Sequence, residues 1–249
     1  MTDTTTTLKG KVVLITGAGS GLGAATAQAF AGAGCRVACL DVNETAVRQT
    51  ADELAARDVE SIALPCDVSN ADAVARSVQA VVERFGQLHV VVNNAAIDHT
   101  VSIDDMSIEQ WDQVIGINLR GPFLVAKAAL PVMKQQQSGH IVNVGSTAAT
   151  RAWANAAAYH AAKWGLIGFS RGLGVECRPF NIRVSLVHPG GMRTHFFDRF
   201  VDQGIPMPDE QNLQDPATVA EAILFAVRMP EQSVIQEMLV TPVTETSWP

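Results

Sequence analysis

An apolar segment at residues 11–16 runs directly into a glycine-rich turn at residues 17–23, and a helical segment at 24–32 follows. The apolar segment suits a strand that is buried on both faces of a parallel sheet. Glycines let the backbone turn tightly and approach a pyrophosphate, and the next helix offers free N–H groups and its positive dipole end. This order predicts a dinucleotide-binding turn, although a turn that serves packing alone is the alternative. The residues concerned are Gly17, Ser20, Gly21, Leu22 and Gly23.

The rest of the chain alternates strand-like and helical segments in the same way. Strands are predicted at 36–40, 61–65, 88–92, 140–144, 181–187 and 233–241, and helices at 44–57, 71–85, 107–133, 156–176 and 216–229. Such alternation is typical of an α/β fold with a parallel sheet and right-handed crossovers. The sequence therefore predicts one Rossmann domain over residues 1–249, a doubly wound parallel sheet of about seven strands with helices on both faces.

Composition limits the classes of partner. Among 249 residues, 47% are hydrophobic and 17% are charged, which indicates a globular chain. The net charge of −7 argues against nucleic acid or an anionic membrane surface as a partner. No apolar run approaches the length of a membrane span. The first residues, 1–8, lack the pattern of a signal peptide and are predicted to form a flexible tail.

The four cysteines stand at positions without metal-ligand spacing, three of them in apolar segments that are predicted strands or strand ends. They are Cys35, Cys39, Cys66 and Cys177. We therefore predict reduced thiols, no metal site and a cytoplasmic protein.

Asp41 ends the second predicted strand, 18 residues after Gly23. An acidic residue at about this spacing accepts hydrogen bonds from the ribose hydroxyls of NAD and repels the 2′-phosphate of NADP. The alternative is that Asp41 caps the following helix, but Asn43 is the better candidate for that role. Arg48 on the same helix is able to reach a 2′-phosphate, which leaves NADP open.

Further polar residues follow the next two strands. Asp67, with Val68 beside it, comes after the third strand, where a carboxylate either hydrogen-bonds the adenine amino group or caps the next helix. Asn94 follows the fourth strand, where an asparagine often only satisfies loose backbone groups. Ligands of open parallel sheets bind beyond the carboxyl ends of the strands, which is where these residues and Asp41 all fall.

Tyr159 is the only tyrosine of the chain, and Lys163 follows it four positions later in a predicted helix. Residues at this spacing lie on one helix face, so the phenol and the ammonium point to the same region. Lowering the pKa of a phenol from about 10 to about 7 takes roughly 4 kcal/mol. One cation at about 4 Å in a dielectric of about 20 supplies that much. Spacing alone, however, more often indicates a packed aromatic with a solvated neighbour.

These residues together resemble the short-chain dehydrogenase/reductase family, in its short single-domain branch, from residue 11 to about residue 240. The motifs occur in the family's order: Thr16–Gly23, Asn93–Ala96 with Ala96 for the usual glycine, Asn118, Ser146, Tyr159 with Lys163, and Pro189–Gly190. The resemblance implies an enzyme that transfers hydride between NAD(P) and a small-molecule alcohol or ketone.

The resemblance also implies a role for each matched residue. Tyr159 is the general acid/base, and Ser146 stabilises charge on the substrate oxygen. Lys163 lowers the pKa of the phenol and binds the nicotinamide ribose, while Asn118 helps to hold a water chain. The nicotinamide end of the cofactor is contacted by Pro189, Gly190, Met192 and Thr194, together with Tyr159 and Lys163.

Two further observations disagree about the cofactor. Ser20 stands where many NADP-preferring members of the family carry a basic residue, which agrees with Asp41 in favouring NAD. The C-terminal residues 240–249 are more similar to the subgroup of serine and 3-hydroxy acid dehydrogenases, which often uses NADP. We give the ribose residues more weight and predict an NAD-dependent dehydrogenase of secondary alcohols. An NADP-dependent carbonyl or 3-hydroxy acid dehydrogenase/reductase is the alternative, and a non-catalytic cofactor-binding protein is a second.

A segment near the C-terminus is predicted to cover the substrate. Residues 195–215 lack a regular pattern, and a long segment of this kind is usually functional or disordered. We predict a substrate lid over residues 193–215 and a partly hydrophobic secondary alcohol or ketone beneath it. The apolar side chains of the lid are Phe196, Phe197, Phe200 and Met207.

Other polar candidates carry less weight. Arg151 or Arg193 would suit a substrate carboxylate, and His99 and His195 would suit the pocket wall, while His160 is predicted to be structural. The family commonly assembles through its two long central helices. The apolar faces predicted for helices 107–133 and 156–176 therefore imply a homo-oligomer, a tetramer or a dimer.

Overall fold

The computed structural model describes residues 7–245, except the side chains of residues 199 and 202. Within this range, seven parallel strands form one sheet in the order β3-β2-β1-β4-β5-β6-β7. The strands are β1 Val12–Thr16, β2 Arg36–Asp41, β3 Ser61–Pro65, β4 Val90–Asn93, β5 Gly139–Val144, β6 Ile182–Pro189 and β7 Glu237–Val240. The predicted fold class, a Rossmann-like α/β fold with a seven-stranded parallel sheet, is confirmed.

Eight α-helices are described around this sheet. They are α1 Gly21–Gly32, α2 Glu44–Ala55, α3 Ala71–Phe85, α4 Ile108–Ile115, α5 Gly121–Gln136, α6 Ala157–Cys177, α7 Asp198–Asp202 and α8 Pro216–Arg228. Side-chain caps explain several of the starts. Asn43 begins α2 by accepting a hydrogen bond of 3.1 Å from the amide of Ala46, as predicted. Ser107 and Gln110 form a capping box at the start of α4.

The hydrophobic core lies on both faces of the sheet. On one face α1 packs against α8, and Phe30 and Ile223 are fully buried there. On the other face α3, α5 and α6 cover the strands through residues such as Val81, Met133 and Leu173. Because β1 has helices on both sides, all five of its residues are buried.

The helix predicted over 107–133 is not one regular α-helix. It consists of α4, a π-helical turn at Gly116–Arg120 and α5, which continues to Gln136. The π-turn contains Asn118, whose side chain accepts a hydrogen bond from the amide of Ile97 and donates one to its carbonyl. Single π-turns inside α-helices often occur at functional sites.

Other boundaries differ from the predicted ones because pairing and caps set them. Helix α1 begins at Gly21 rather than residue 24. Strand β7 covers Glu237–Val240 rather than 233–241, because only Leu186–Pro189 of β6 lie opposite it. The segment predicted to be irregular contains helical turns at His195–Phe197 and Glu210–Asn212 as well as α7.

The predicted tail, residues 1–8, lies outside the described residues over 1–6. Leu8, at its end, is buried in the core, and its carbonyl accepts a hydrogen bond of 2.9 Å from the amide of Lys11. The chain is therefore anchored before residue 9, contrary to the prediction for Leu8. Over residues 7–245, helices that combine the length and the apolar character needed to cross a membrane are absent.

Candidate active site

The carboxyl ends of strands β1 to β6 open into one cleft of about 950 Å³. Most of the residues that the sequence singled out line it. They are Gly17, Ser20, Gly21, Leu22, Asp41, Asp67, Val68, Asn94, Ser146, Tyr159, Lys163, Pro189, Gly190, Met192 and Thr194. Gly23 and Asn118 stand behind this lining. The parallel topology thus brings together residues that are up to 177 positions apart in the sequence.

The backbone conformation and close packing of the glycine-rich turn exclude residues with a side chain at several positions. Gly17 and Gly21 have positive φ angles of 66° and 52°. A Cβ atom on Gly23 would lie 1.9 Å from the carbonyl oxygen of Gly17. Asn94 fastens the turn to β4, because its side-chain amide donates to the carbonyls of Thr16 at 3.0 Å and Gly17 at 3.2 Å. The turn is therefore a preformed concave backbone at the start of α1.

Asp41 faces this turn from the end of β2. Its Oδ2 accepts a hydrogen bond of 2.9 Å from the amide of Gly19, and its Oδ1 accepts one of 2.9 Å from the amide of Asn43. A carboxylate oxygen accepts more than one hydrogen bond, so the group keeps capacity for ribose hydroxyls. Arg48 lies on α2 outside the cleft, and its guanidinium bonds Glu44 at 2.6 Å.

Asp67 is engaged locally at the end of β3. Its Oδ1 accepts hydrogen bonds from the amide of Ser69 at 2.8 Å and from its hydroxyl at 2.7 Å. The N-cap of α3 is Asn70, which accepts from the amides of Asp72 and Ala73. Asp67 therefore shapes the turn before the helix while its exposed carboxylate lines the cleft.

Tyr159 and Lys163 lie one turn apart on α6 and point into the same end of the cleft. The Lys163 Nζ is 5.5 Å from the centre of the Tyr159 ring and donates a hydrogen bond of 2.8 Å to the carbonyl of Val144. The Lys163 side chain is only 2% exposed. Burial lowers the pKa of Lys163 to about 7. The ammonium is therefore held where its charge is costly unless an opposite charge forms nearby.

Ser146 follows β5 and is half-buried beside the same cleft end. Its hydroxyl accepts a hydrogen bond of 3.1 Å from the amide of Ala148 and remains able to donate its proton. Its carbonyl oxygen is 3.2 Å from His188 Nδ1. Burial is the main cause of the lowered pKa of His188, so the imidazole is neutral at pH 7 and donates through Nδ1–H. His188 thus helps to fix the serine backbone.

Asn118 is 1% exposed and is not among the residues that line the cleft. Its Oδ1 accepts from the amide of Ile97 at 2.9 Å, and its Nδ2 donates to the carbonyl of Ile97 at 2.8 Å. The side chain therefore fixes the segment that follows β4, which forms part of the cleft wall. This contact joins residues 21 positions apart, and no local pattern predicts it.

Aromatic side chains from the predicted lid continue from the tyrosine. The rings of Tyr159 and Phe196 are 5.6 Å apart, those of Phe196 and Phe197 5.8 Å, and those of Phe197 and Phe200 5.3 Å. All four line the cleft. The cleft is consequently apolar where Phe196, Phe197 and Phe200 line it.

Two further residues, His160 and Glu245, make contacts whose partners the sequence did not indicate. His160 joins α6 to the segment after Ser146, with Nδ1 2.9 Å from the carbonyl of Ala148 and Nε2 3.1 Å from the amide of Trp153. This agrees with its predicted structural role. Glu245, beyond β7, lines the cleft and lies 3.9 Å from Arg151. An acidic residue after the last strand carries no local pattern, so sequence reasoning missed it.

The residues present fit a dinucleotide. The glycine turn leaves a concave backbone at a helix start, Asp41 stands at one end of the cleft, and Lys163 stands at the other. In the described part of the chain, no group of three or more His, Cys, Asp or Glu residues is arranged to bind a metal ion. The four cysteines are free and buried, and burial raises the pKa values of Cys35 and Cys39 to about 12.

Comparison with known proteins agrees with this arrangement. The profile of the family described as "short chain dehydrogenase" matches residues 11–203. A curated relative from Sinomonas cyclohexanicum, trans-4-hydroxycyclohexanecarboxylate dehydrogenase, is 39% identical over 191 residues, which make up 74% of this chain and 73% of the relative.

Solved structures are similar over almost the whole chain. A metagenomic short-chain oxidoreductase in complex with NADP is 31% identical with a TM-score of 0.83, covering 96% of this chain and 100% of its own. An alcohol dehydrogenase from the archaeon Thermococcus sibiricus, complexed with 5-hydroxy-NADP, is 28% identical with a TM-score of 0.86, covering 95% and 98%.

Proposed function

Because the chain belongs to the short-chain dehydrogenase/reductase family, we propose that it is an NAD-dependent dehydrogenase that interconverts a secondary alcohol and its ketone. The broader activity, oxidoreduction at a CH–OH group with NAD(P), is that of the family. The proposal concerns the preferred cofactor, the kind of alcohol and the residues that perform the reaction.

One observation carries the proposal. Ser146, Tyr159 and Lys163 line one end of the cleft whose other end holds Asp41 and the glycine turn. A dinucleotide that spans such a cleft meets a proton donor and acceptor at its reactive end. We assign the catalytic roles to Ser146, Tyr159, Lys163 and, behind them, Asn118.

The glycine turn, Asp41, Lys163 and the residues Pro189, Gly190, Met192 and Thr194 would hold NAD, which would supply the acceptor for the hydride of the carbinol carbon. Tyr159 takes the hydroxyl proton, and in the reverse direction it gives that proton back. Ser146 donates a hydrogen bond to the substrate oxygen and stabilises the charge that develops there. These two hydroxyl groups therefore orient the alcohol and exchange its proton.

Lys163 assists through its charge. Its ammonium favours the phenolate form of Tyr159, and a phenolate in turn favours the ammonium. The sequence suggests a permanent cation, but burial brings the pKa of Lys163 to about 7. The charge needed for catalysis is therefore strongest when the phenol has lost its proton.

The preference for NAD rests on Asp41. Its carboxylate faces the glycine turn, and a phosphate on the ribose would meet a fixed negative charge at close range. Arg48 is the basic residue that the sequence suggests as a partner of a 2′-phosphate. In the structure, it forms an ion pair with Glu44 outside the cleft. The alternative, an NADP-dependent carbonyl or 3-hydroxy acid dehydrogenase/reductase, is favoured by the NADP-type ligands of two similar structures.

The substrate end favours a compact, largely apolar alcohol. Phe196, Phe197 and Phe200 line the cleft that also contains Ser146 and Tyr159, and the ring of Phe196 is 5.6 Å from the ring of Tyr159. The relative that is 39% identical is named for a secondary alcohol on a six-membered ring. We therefore propose that the substrate is an alicyclic secondary alcohol. In this proposal, residues 193–215 form a lid that covers it, and residues 1–249 form a single domain.

We also propose that the protein is a homo-oligomer, a dimer or a tetramer. Phe123 on α5 and Trp164 on α6 are 44% and 53% exposed, although both are large and apolar. Exposed apolar faces on two long helices are typical of contact surfaces between protein chains.

A binding titration followed by a turnover assay tests the proposal. The purified protein is titrated with NADH and with NADPH, and energy transfer from its tryptophans reports binding. We expect tighter binding of NADH, followed by oxidation of cyclohexanol derivatives with NAD. Tighter binding of NADPH would support the alternative, and binding of neither would contradict both.

A further inference from the structure

The substrate end of the cleft contains one accessible cation. Among the described residues that line the cleft, the lysines and arginines are Lys163 and Arg151. Lys163 is buried, bonds the carbonyl of Val144 and belongs to the reaction. The side chain of Arg151, in contrast, is 41% exposed. An anionic group on a ligand therefore finds its partner at Arg151.

Neighbouring contacts hold Arg151 close to the reacting groups. It follows Ser146 by five residues, and its amide donates a hydrogen bond of 3.2 Å to the carbonyl of Thr147. Its guanidinium carbon is 5.8 Å from the centre of the Trp153 ring, and that ring is 4.5 Å from His160. His160 is the residue next to Tyr159, so the arginine is tied to the catalytic helix through aromatic contacts.

Glu245 gives Arg151 a counter-charge that a ligand is able to replace. The closest approach, between Arg151 Nη2 and Glu245 Oε1, is 3.9 Å, which is an attraction but not a hydrogen bond. Glu245 is only 12% exposed, and its other carboxylate oxygen stands beside Gly190. A carboxylate that enters the cleft gains the two parallel hydrogen bonds that a guanidinium offers and that Glu245 does not use.

Apolar side chains line the same cleft as the reacting groups and Arg151. Phe196, Phe197 and Leu213 line this cleft, and the ring of Phe196 is 5.6 Å from the ring of Tyr159. A matching ligand has a hydroxyl group at one end, a hydrocarbon body in the middle and a negative charge at the other end.

We propose that Arg151 binds a carboxylate on the substrate, so that the preferred substrates are hydroxy acids with an apolar body between the carbinol and the acid. Glu245 keeps the guanidinium oriented until the substrate displaces it. The inference rests on the proposed function of the site and assigns the substrate class. Arg193, the other arginine that the sequence suggests for a carboxylate, donates to the carbonyl of Leu213 at 2.6 Å instead.

The test compares a charged and a neutral substrate of the same shape. The value of kcat/KM is measured for trans-4-hydroxycyclohexanecarboxylate and for its methyl amide, and the ratio of the two values is the readout. The ratio cancels damage that affects both substrates equally. We expect Arg151→Gln to lower the ratio about 10- to 100-fold, the size of lost charged hydrogen bonds. Arg151→Lys should lower it less, because the charge remains.

Two further variants sharpen the result. Glu245→Gln removes the competing charge and should raise the ratio about 3- to 10-fold. Arg193→Gln is the matched control and should leave the ratio at the value of the unmodified protein. An unchanged ratio in Arg151→Gln, or an equal fall in Arg193→Gln, would overturn the assignment of Arg151.

A binding measurement separates this inference from the proposed function. If the unmodified protein oxidises neither compound, the proposed alcohol class is wrong, and binding of cyclohexanecarboxylate in the presence of NADH is then measured by calorimetry. Binding that Arg151→Gln weakens about tenfold or more supports the carboxylate site. Absence of binding, or equal affinity in both proteins, overturns it.

Discussion

The backbone amide of Gly19 donates a hydrogen bond of 2.9 Å to Oδ2 of Asp41, so the Asp41 carboxylate is fastened to the glycine turn. A Cβ atom on Gly19 would lie 3.0 Å from that same oxygen. The contact joins residues 22 positions apart. It fixes the carboxylate before any cofactor arrives, and a preformed acceptor loses little freedom when a ribose binds.

Replacing Asp41 with Asn should weaken the preference for NAD. Asn keeps an oxygen that accepts the hydrogen bond from Gly19 but removes the negative charge that repels a 2′-phosphate. We expect the ratio of the Kd for NADPH to the Kd for NADH to fall about 10- to 100-fold, a change of roughly 1–3 kcal/mol. Fluorescence titration with both cofactors measures it. A ratio equal to that of the unmodified protein would mean that Asp41 does not select the cofactor.

Two glycines of α1 form a matched pair for testing the turn. In Gly23→Ala the new methyl group would lie 1.9 Å from the carbonyl of Gly17, so the turn must move. In Gly32→Ala, at the end of the same helix, the new carbon has no described atom within 4 Å apart from the adjacent residues and the backbone of its own helix. We expect Gly23→Ala to lose about 1–3 kcal/mol of unfolding free energy and most NADH binding. Gly32→Ala should gain about 0.5–1 kcal/mol and bind normally.

Urea unfolding and NADH titration of both variants are the measurements. Equal behaviour of the two proteins would show that the turn tolerates a side chain, and the interpretation of Gly23 would then be wrong.

Tyr159→Phe should separate cofactor binding from chemistry. Phenylalanine keeps the ring that contacts Phe196 at 5.6 Å but lacks the hydroxyl that exchanges the proton. We expect kcat to fall about 10²- to 10⁴-fold while NADH binding is retained. Single-turnover measurements of NADH formation check this directly. Turnover near that of the unmodified protein would remove Tyr159 from the catalytic role.

The fold was largely predictable because its pattern is local. Buried strands of four to eight apolar residues alternate with longer amphipathic segments, and parallel pairing follows from that order. The length of β7 was not predictable, because only four residues of β6 lie opposite it. The π-turn at Gly116–Arg120 was also missed, since the contact between Asn118 and Ile97 bridges distant parts of the chain.

The cleft residues were predictable for a topological reason. Strands of a parallel sheet end at one edge, so Asp41, Asn94 and Ser146 had to meet there. The near-complete burial of Lys163 and the approach of Glu245 to Arg151 depend instead on packing between elements far apart in the sequence. No local spacing encodes such contacts.

Lys163→Met should stabilise the cofactor-free protein and abolish its activity. The pKa of Lys163 is lowered from 10.5 to about 7 by burial, so the unfolded chain binds this proton more tightly than the folded one. The resulting cost is complete below pH 7 and disappears as the pH rises from 7 to 10.5. The variant also loses the hydrogen bond to Val144. After this loss is subtracted, we expect its free energy of unfolding to be about 1–3 kcal/mol higher near pH 6.5.

Urea unfolding of both proteins between pH 6 and 9 measures this gain. The difference in unfolding free energy should shrink as the pH rises, because the unmodified protein recovers stability when Lys163 loses its proton. A difference that does not depend on pH would mean that Lys163 is not the group responsible.

Phe196→Ala tests whether residues 193–215 cover the substrate. The ring of Phe196 joins Tyr159 to Phe197, so its removal opens the apolar wall beside the reacting groups. We expect KM for an alicyclic alcohol to rise about 5- to 30-fold, as the lost burial of apolar area predicts, with a smaller change in kcat. Phe225→Ala is the control, because this ring on α8 is 58% exposed and is not among the residues of the cleft. The control should keep the KM of the unmodified protein. Equal KM values in both variants would mean that the aromatic segment does not contact the substrate.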